Sequence, residues 1–102
     1  MTTIIYSIDE IKEKIYDVLV NTDVEKAILF GSYAKNKPRP NSDIDILIDS
    51  KGRIKGLKFY AIIQLISEKL DKDVDVIEKS EIDSDSQIEK EIERTGVVIY
   101  ER

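Results

Sequence analysis

Asp43 and Asp45 stand two residues apart in the run Ser42-Asp43-Ile44-Asp45-Ile46-Leu47-Ile48-Asp49. On an extended strand this spacing puts both carboxylates on one face, about 6–7 Å apart along the chain. Two anions that close repel each other unless water or a cation separates them. A divalent ion bridging them turns the repulsion into attraction, and phosphoryl transfer uses such ions to neutralise a triphosphate and orient the attacking oxygen. An isolated Asp-x-Asp more often marks a strand with one face in water. Here the pair follows Gly31-Ser32 and a basic loop, and the joint occurrence points to chemistry. Gly31 permits backbone angles, and a close approach of phosphate, that a side chain would block. Ser32 offers a hydroxyl, and free N–H groups at a following helix start suit an anion. Lys35, Lys37 and Arg39 lie in the connecting loop, where they can reach phosphate oxygens or stay as solvated charge. A two-metal site calls for a third carboxylate, and Asp75, between Val74 and Val76, is that candidate. Asp73 shares its face but sits nearer the strand start.

The elements that must position these residues read from periodicity and capping. Ser7-Ile8-Asp9-Glu10 is a capping box, and Ile8, Ile11, Ile15, Val18 and Leu19 recur at helical spacing after it. Tyr6 and Ile11 can form the accompanying hydrophobic staple. Val24 to Phe30 reads as a strand ended by Gly31-Ser32, and Ser32 to Lys35 as a turn of helix. Pro38 and Pro40 keep Lys35 to Asn41 a loop. Ser42 to Asp49 alternates, with Ile44, Ile46 and Ile48 on one face and Asp43, Asp45, Leu47 and Asp49 on the other. Gly52 and Gly56 mark a link to a helix over Leu57 to Leu70, whose stripe is Phe59, Ile62, Ile63, Ile66 and Leu70. Lys72 to Glu78 is a third strand. Ser84-Asp85-Ser86-Gln87 reads as a second capping box, opening a helix through about Arg94 that Gly96 ends. Val97 to Tyr100 is extended or irregular. Strands alternating with helices make the class α/β, with a small sheet whose order and direction the sequence does not set.

The 102 residues fit one domain, residues 1–102, with one core. Sixteen basic and 21 acidic residues leave a net charge of −5, which argues against a general nucleic-acid-coating role. Cysteine and histidine are absent, so any metal is held by oxygen, which favours hard cations such as Mg²⁺, Mn²⁺ or Ca²⁺. The lack of histidine also leaves carboxylates, lysines and tyrosines as the available bases. No run approaches the ~18–20 apolar residues of a membrane helix, and the amino terminus lacks the pattern of a signal peptide. A cytoplasmic protein is expected.

Gly31-Ser32, then Ser42-Asp43-Ile44-Asp45 before an apolar strand, then Asp75 on a later strand: in this order the chain resembles the minimal nucleotidyltransferases of the DNA polymerase β-like superfamily. The resemblance implies a small mixed sheet flanked by helices, an α+β variant of the class. It implies transfer of a nucleotidyl group, commonly adenylyl from ATP, with two Mg²⁺ ions as cofactors and pyrophosphate as the product released. By position, Asp43 and Asp45 match the metal-binding pair, Asp75 the third carboxylate that helps activate the acceptor hydroxyl, and Gly31 and Ser32 the triphosphate turn. Members often carry Arg-Gly after this segment, where this chain has Lys35-Asn36, so the resemblance puts Lys35, of the three loop cations, at the triphosphate. Lysine keeps the charge without the planar fork, and Asn36 can adopt a left-handed backbone. Larger relatives add an acceptor-binding domain, for which this length leaves no room. Minimal members are frequently paired with a helical HEPN-domain toxin. The resemblance therefore implies a hetero-oligomeric antitoxin that adenylylates this partner; the alternative is a binding module of the same fold that acts without chemistry.

Overall fold

The computed structural model describes residues 5–102. The expectation that the amino terminus carries no leader falls partly on residues 1–4 and lies outside the described residues. Ser7 caps the first helix, α1 (Ile8–Leu19), in both directions: its hydroxyl accepts from the Glu10 N–H at 3.1 Å, and the Glu10 carboxylate accepts from the Ser7 N–H at 2.8 Å. Tyr6, just before the cap, is buried in the same core as Ile11, as a staple requires. Its hydroxyl donates to the Leu70 carbonyl, so the start of α1 is tied to the end of α2 (Leu57–Leu70). Ile11, Ile15 and Leu19 of α1 and Ile62, Ile66 and Leu70 of α2 are buried, the stripe that helical spacing predicts for each.

Strands β1 (Lys26–Phe30), β2 (Ile44–Asp49), β3 (Val74–Glu78) and β4 (Val97–Glu101) form one sheet in the order β3-β2-β1-β4. β2 runs parallel to β3 and antiparallel to β1, and β4 is antiparallel to β1. The sheet is therefore mixed, and the class is α+β. The parallel pair arises because α2 carries the chain back over one face between β2 and β3. Ile44, Ile46 and Ile48 are fully buried on the face that α1 and α2 cover. The opposite face bears a smaller cluster in which α3 (Gln87–Thr95) sets Ile92 against Phe30 and Leu47.

In the carboxy-terminal third one reading changes and one left open is decided. The cap of α3 is Ser86, two residues beyond the expected start; its hydroxyl accepts from the Glu89 N–H at 3.2 Å. Ser86-x-x-Glu89 offers the same box pattern as Ser84-x-x-Gln87, and the later frame puts Ile92 on the sheet. The tail is a full strand, β4, and the fourth of the sheet. Gly96 makes this possible, because a β-carbon there would lie 2.4 Å from the Ile92 carbonyl oxygen and 2.9 Å from Ile28 Cγ2. Only a residue without a side chain lets the chain turn from α3 onto the edge of β1 so tightly. Among the described residues no helix is long and apolar enough to cross a membrane.

Candidate active site

Alternation along β2 decides where the acids go. With Ile44, Ile46 and Ile48 committed to the core, Asp45 must point to the opposite face. Asp43 sits one residue before the strand and is exposed, while Asp45 is half-buried. The parallel register pairs Asp45 with Asp75 directly, so the two residues stand side by side on neighbouring strands, whose spacing is about 4.8 Å. Burial, then the charge of Asp75, then that of Asp43 and Glu91, push the Asp45 carboxyl up to about 6 from its ordinary 3.8. Three acids thus bear on Asp45 at this face.

Gly31 follows β1 at the point where Phe30 pairs with Asp45. Its φ of +75° lies in the left-handed region, and a β-carbon there would fall 2.2 Å from Asp45 Oδ2. The backbone approach inferred from the glycine is therefore made, first of all, to the Asp45 carboxylate. After it the chain makes a turn in which the Lys35 N–H donates to the Gly31 carbonyl at 3.2 Å and the Lys37 N–H to the Ser32 carbonyl at 3.0 Å. Tyr33, 2% exposed, anchors this turn in the core and leaves Ser32 half-buried beside the site. Asn36 takes φ +57°, the left-handed conformation expected for it.

The rest of the loop is held at two points. Arg39 and Ser42 bond reciprocally at 2.9 Å, main chain to hydroxyl and main chain to main chain, immediately before Asp43. Lys72, 7% exposed, reaches the Pro40 carbonyl at 2.8 Å and so joins the loop to the entry of β3. At the other end of β3, Glu78 is buried and accepts from Ser50 N–H, the Ser50 hydroxyl, Gly52 N–H and Lys79 N–H. These contacts fix Asp43 and Asp75 from outside the site.

Lys35 is placed at the site rim, where its Nζ lies 2.9 Å from Glu91 Oε1. Lys37 and Arg39 remain exposed. Glu91 is the residue that sequence reading missed. It sits on α3, whose glutamates look alike in sequence, and only the docking of Ile92 decides which of them turns toward Asp45.

All donors at this face are carboxylate and hydroxyl oxygens, which suits Mg²⁺ or Mn²⁺. Among the described residues no group of three acids is arranged to hold a metal ion. Mg²⁺ does not require one, because it keeps several waters and takes one or two carboxylates together with substrate phosphates. One or two of Asp43, Asp45 and Asp75 could hold it together with substrate phosphates.

A mixed sheet that sets two neighbouring aspartates beneath a Gly-Ser turn is the frame of a nucleotidyltransferase. The family model described as Polymerase beta, Nucleotidyltransferase matches residues 13–102, and the chain belongs to that family. A protein of Methanocaldococcus jannaschii is 39% identical over 71 residues, 70% of this chain and 76% of the relative, and carries the provisional name of protein adenylyltransferase. A second of the same name and organism is 38% identical over 76 residues, 74% of this chain and 76% of the relative. Among solved structures, a toxin–antitoxin crystal structure with AMP-PNP aligns at TM-score 0.76 and 22% identity, over 89% of this chain and 73% of that one. A tri-AMPylated Shewanella oneidensis HEPN toxin in complex with its MNT antitoxin contains a chain aligning at TM-score 0.71 and 20% identity, over 93% and 73% of the respective chains. At these identities the solved structures establish the shared fold.

Proposed function

We propose that this chain transfers AMP from ATP to a hydroxyl of a partner protein, and that the partner is a HEPN-type toxin which it binds and silences as an antitoxin. The observation that carries the reading is the direct pairing of Asp45 with Asp75 beneath Gly31. Charge of one sign is gathered there at a cost to the fold, and a metal-bound triphosphate is the kind of ligand that relieves it. The provisional adenylyltransferase name of the Methanocaldococcus relatives supports the reaction. The toxin–antitoxin complexes of like fold support the partner.

Asp43 and Asp45 would hold the metal, Gly31 and Ser32 would cradle the phosphates, and Lys35 would pair with them. When bound, two Mg²⁺ ions neutralise the triphosphate and favour the attacking oxygen. The acceptor oxygen forms a bond to the α-phosphorus as the bond from that phosphorus to the leaving pyrophosphate breaks, and pyrophosphate departs with the electron pair. Asp75 takes the hydroxyl proton, a role a carboxylate fills in a chain without histidine.

The test is incubation of this chain with a HEPN toxin, Mg²⁺ and labelled ATP. An adenylyl adduct on the toxin, absent with Asp45→Asn, is expected. A toxin that stays unmodified yet is still neutralised by the Asp45→Asn protein would replace this reading with that of a binding module.

A further inference from the structure

Beside the turn that begins at Gly31 lies an open surface hollow of about 320 Å³, lined by the exposed Lys35, Gln87, Lys90 and Arg94 and the half-buried Glu91. Residues 87, 90, 91 and 94 have the i, i+3, i+4, i+7 spacing of one helical face, so α3 turns a single stripe toward the hollow. Three of these five side chains are cations, in a chain whose net charge is −5. Lys90 and Arg94 have no ion-pair partner among the described residues. The single acid, Glu91, is occupied by Lys35 at 2.9 Å. A hollow with that balance suits an anion. Its position narrows which one: Lys35 closes the helical turn that Gly31 opens, and Gly31 lies against Asp45.

We infer that this hollow is a subsite for the pyrophosphate end of the nucleotide, with Gln87, Lys90 and Arg94 as donors from α3 and Glu91 as the latch that holds Lys35 until the phosphates arrive. The identity of the nucleotide rests on the adenylyl-transfer reading; the subsite itself rests on the hollow and its charges. Arg94 presents the planar fork that the loop lacks at Lys35, and a guanidinium there can grip two phosphate oxygens at once. Entry of the phosphates draws Lys35 from Glu91. After transfer Lys35 returns to Glu91, and the pyrophosphate loses one of its ligands.

The test is calorimetric titration of the wild type and of a Lys90→Ala/Arg94→Ala double variant, its folding checked by thermal melting. Inorganic pyrophosphate is used without metal, and ATP and AMP with Mg²⁺. Loss of two charge-assisted contacts should weaken pyrophosphate and ATP about tenfold or more and leave AMP within about threefold. Glu91→Gln should tighten pyrophosphate, because its competitor for Lys35 is weakened. Equal pyrophosphate and ATP binding by wild type and double variant overturns the inference. Unchanged ATP binding with lost modification of the partner also overturns it, and assigns the hollow to an acidic segment of the acceptor. A wild type that binds neither ATP nor AMP, yet binds pyrophosphate through Lys90 and Arg94, overturns the adenylyl-transfer reading and leaves the anion subsite standing.

Discussion

Gly31 and Asp45 compete for one small volume: Asp45 Oδ2 lies 2.2 Å from the point where a β-carbon on residue 31 would stand. Gly31→Ala therefore meets the tip of a side chain that can rotate away, and the backbone at φ +75° adds strain of about 1–2 kcal/mol. The fold should survive with a modest loss in denaturant unfolding, whereas Asp45 leaves its place beside Asp75. Transfer activity should fall far more than stability does. An alanine variant that melts slightly lower yet transfers AMP at the wild-type rate would refute the coupling of this glycine to the carboxylate.

The Asp45 carboxyl, pushed up to about 6 by burial and by Asp75, Asp43 and Glu91, makes the apo protein pH-dependent. The folded state holds this proton more tightly than the unfolded chain does, so its contribution is greatest below about pH 4 and is lost as pH rises through about 6. Asp45→Asn removes the ionisation. In divalent-free buffer the variant should gain melting temperature relative to wild type at pH 8, and much less at pH 4.5. The same difference at both pH values would mean that Asp45 is not strained by charge. Part of the effect is screened, since the group is half in solvent.

Much of this arrangement is legible in the sequence because it follows from periodicity. The alternation Ile44, Ile46, Ile48 sets the face of Asp45 without knowledge of the fold, and the same holds for Val74, Val76 and Asp75. What periodicity does not carry is pairing. That Asp75 rather than Asp73 stands opposite Asp45 depends on the parallel register, which α2 and the Glu78 clamp impose over a long loop. Glu91 was hidden for the same reason, since its role depends on how α3 docks. The α3 cap was misplaced because two overlapping Ser-x-x-Glx frames satisfy the local rule, and only burial of Ile92 chooses between them. Val97 to Tyr100 has strand composition, but its pairing to β1 needs the close passage at Gly96.

Glu78 makes the clamp testable. Its carboxylate accepts from two donors of Ser50, itself fully buried, and from the Gly52 and Lys79 main chain. Glu78→Ala leaves these donors without partners and should cost about 3 kcal/mol or more in urea unfolding. Glu78→Gln keeps an acceptor oxygen and should cost clearly less. Equal losses would indicate that packing volume, and not the hydrogen bonds, holds this corner.

Asp45 and Asp75 stand in register but are assigned different work, and a pair of substitutions separates them. Asp45→Asn takes a charge from the pair proposed to hold the metal. It should abolish the stabilisation by Mg²⁺–ATP, which for wild type at ~100 times its dissociation constant is about 2.7 kcal/mol. Transfer should fall by at least about two orders of magnitude, roughly 2.7 kcal/mol in the barrier. Asp75→Asn leaves Asp43 and Asp45 in place, so Mg²⁺–ATP should still raise the melting temperature nearly as in wild type. Its transfer rate should nevertheless fall about as far, because the acceptor proton has lost its base. Neighbouring carboxylates that repel each other also blur this division, since removing either charge eases the other. The thermal shift by Mg²⁺–ATP is therefore the deciding measurement: if Asp75→Asn loses it as completely as Asp45→Asn does, Asp75 is a nucleotide-metal ligand rather than the base, and another group must take the proton.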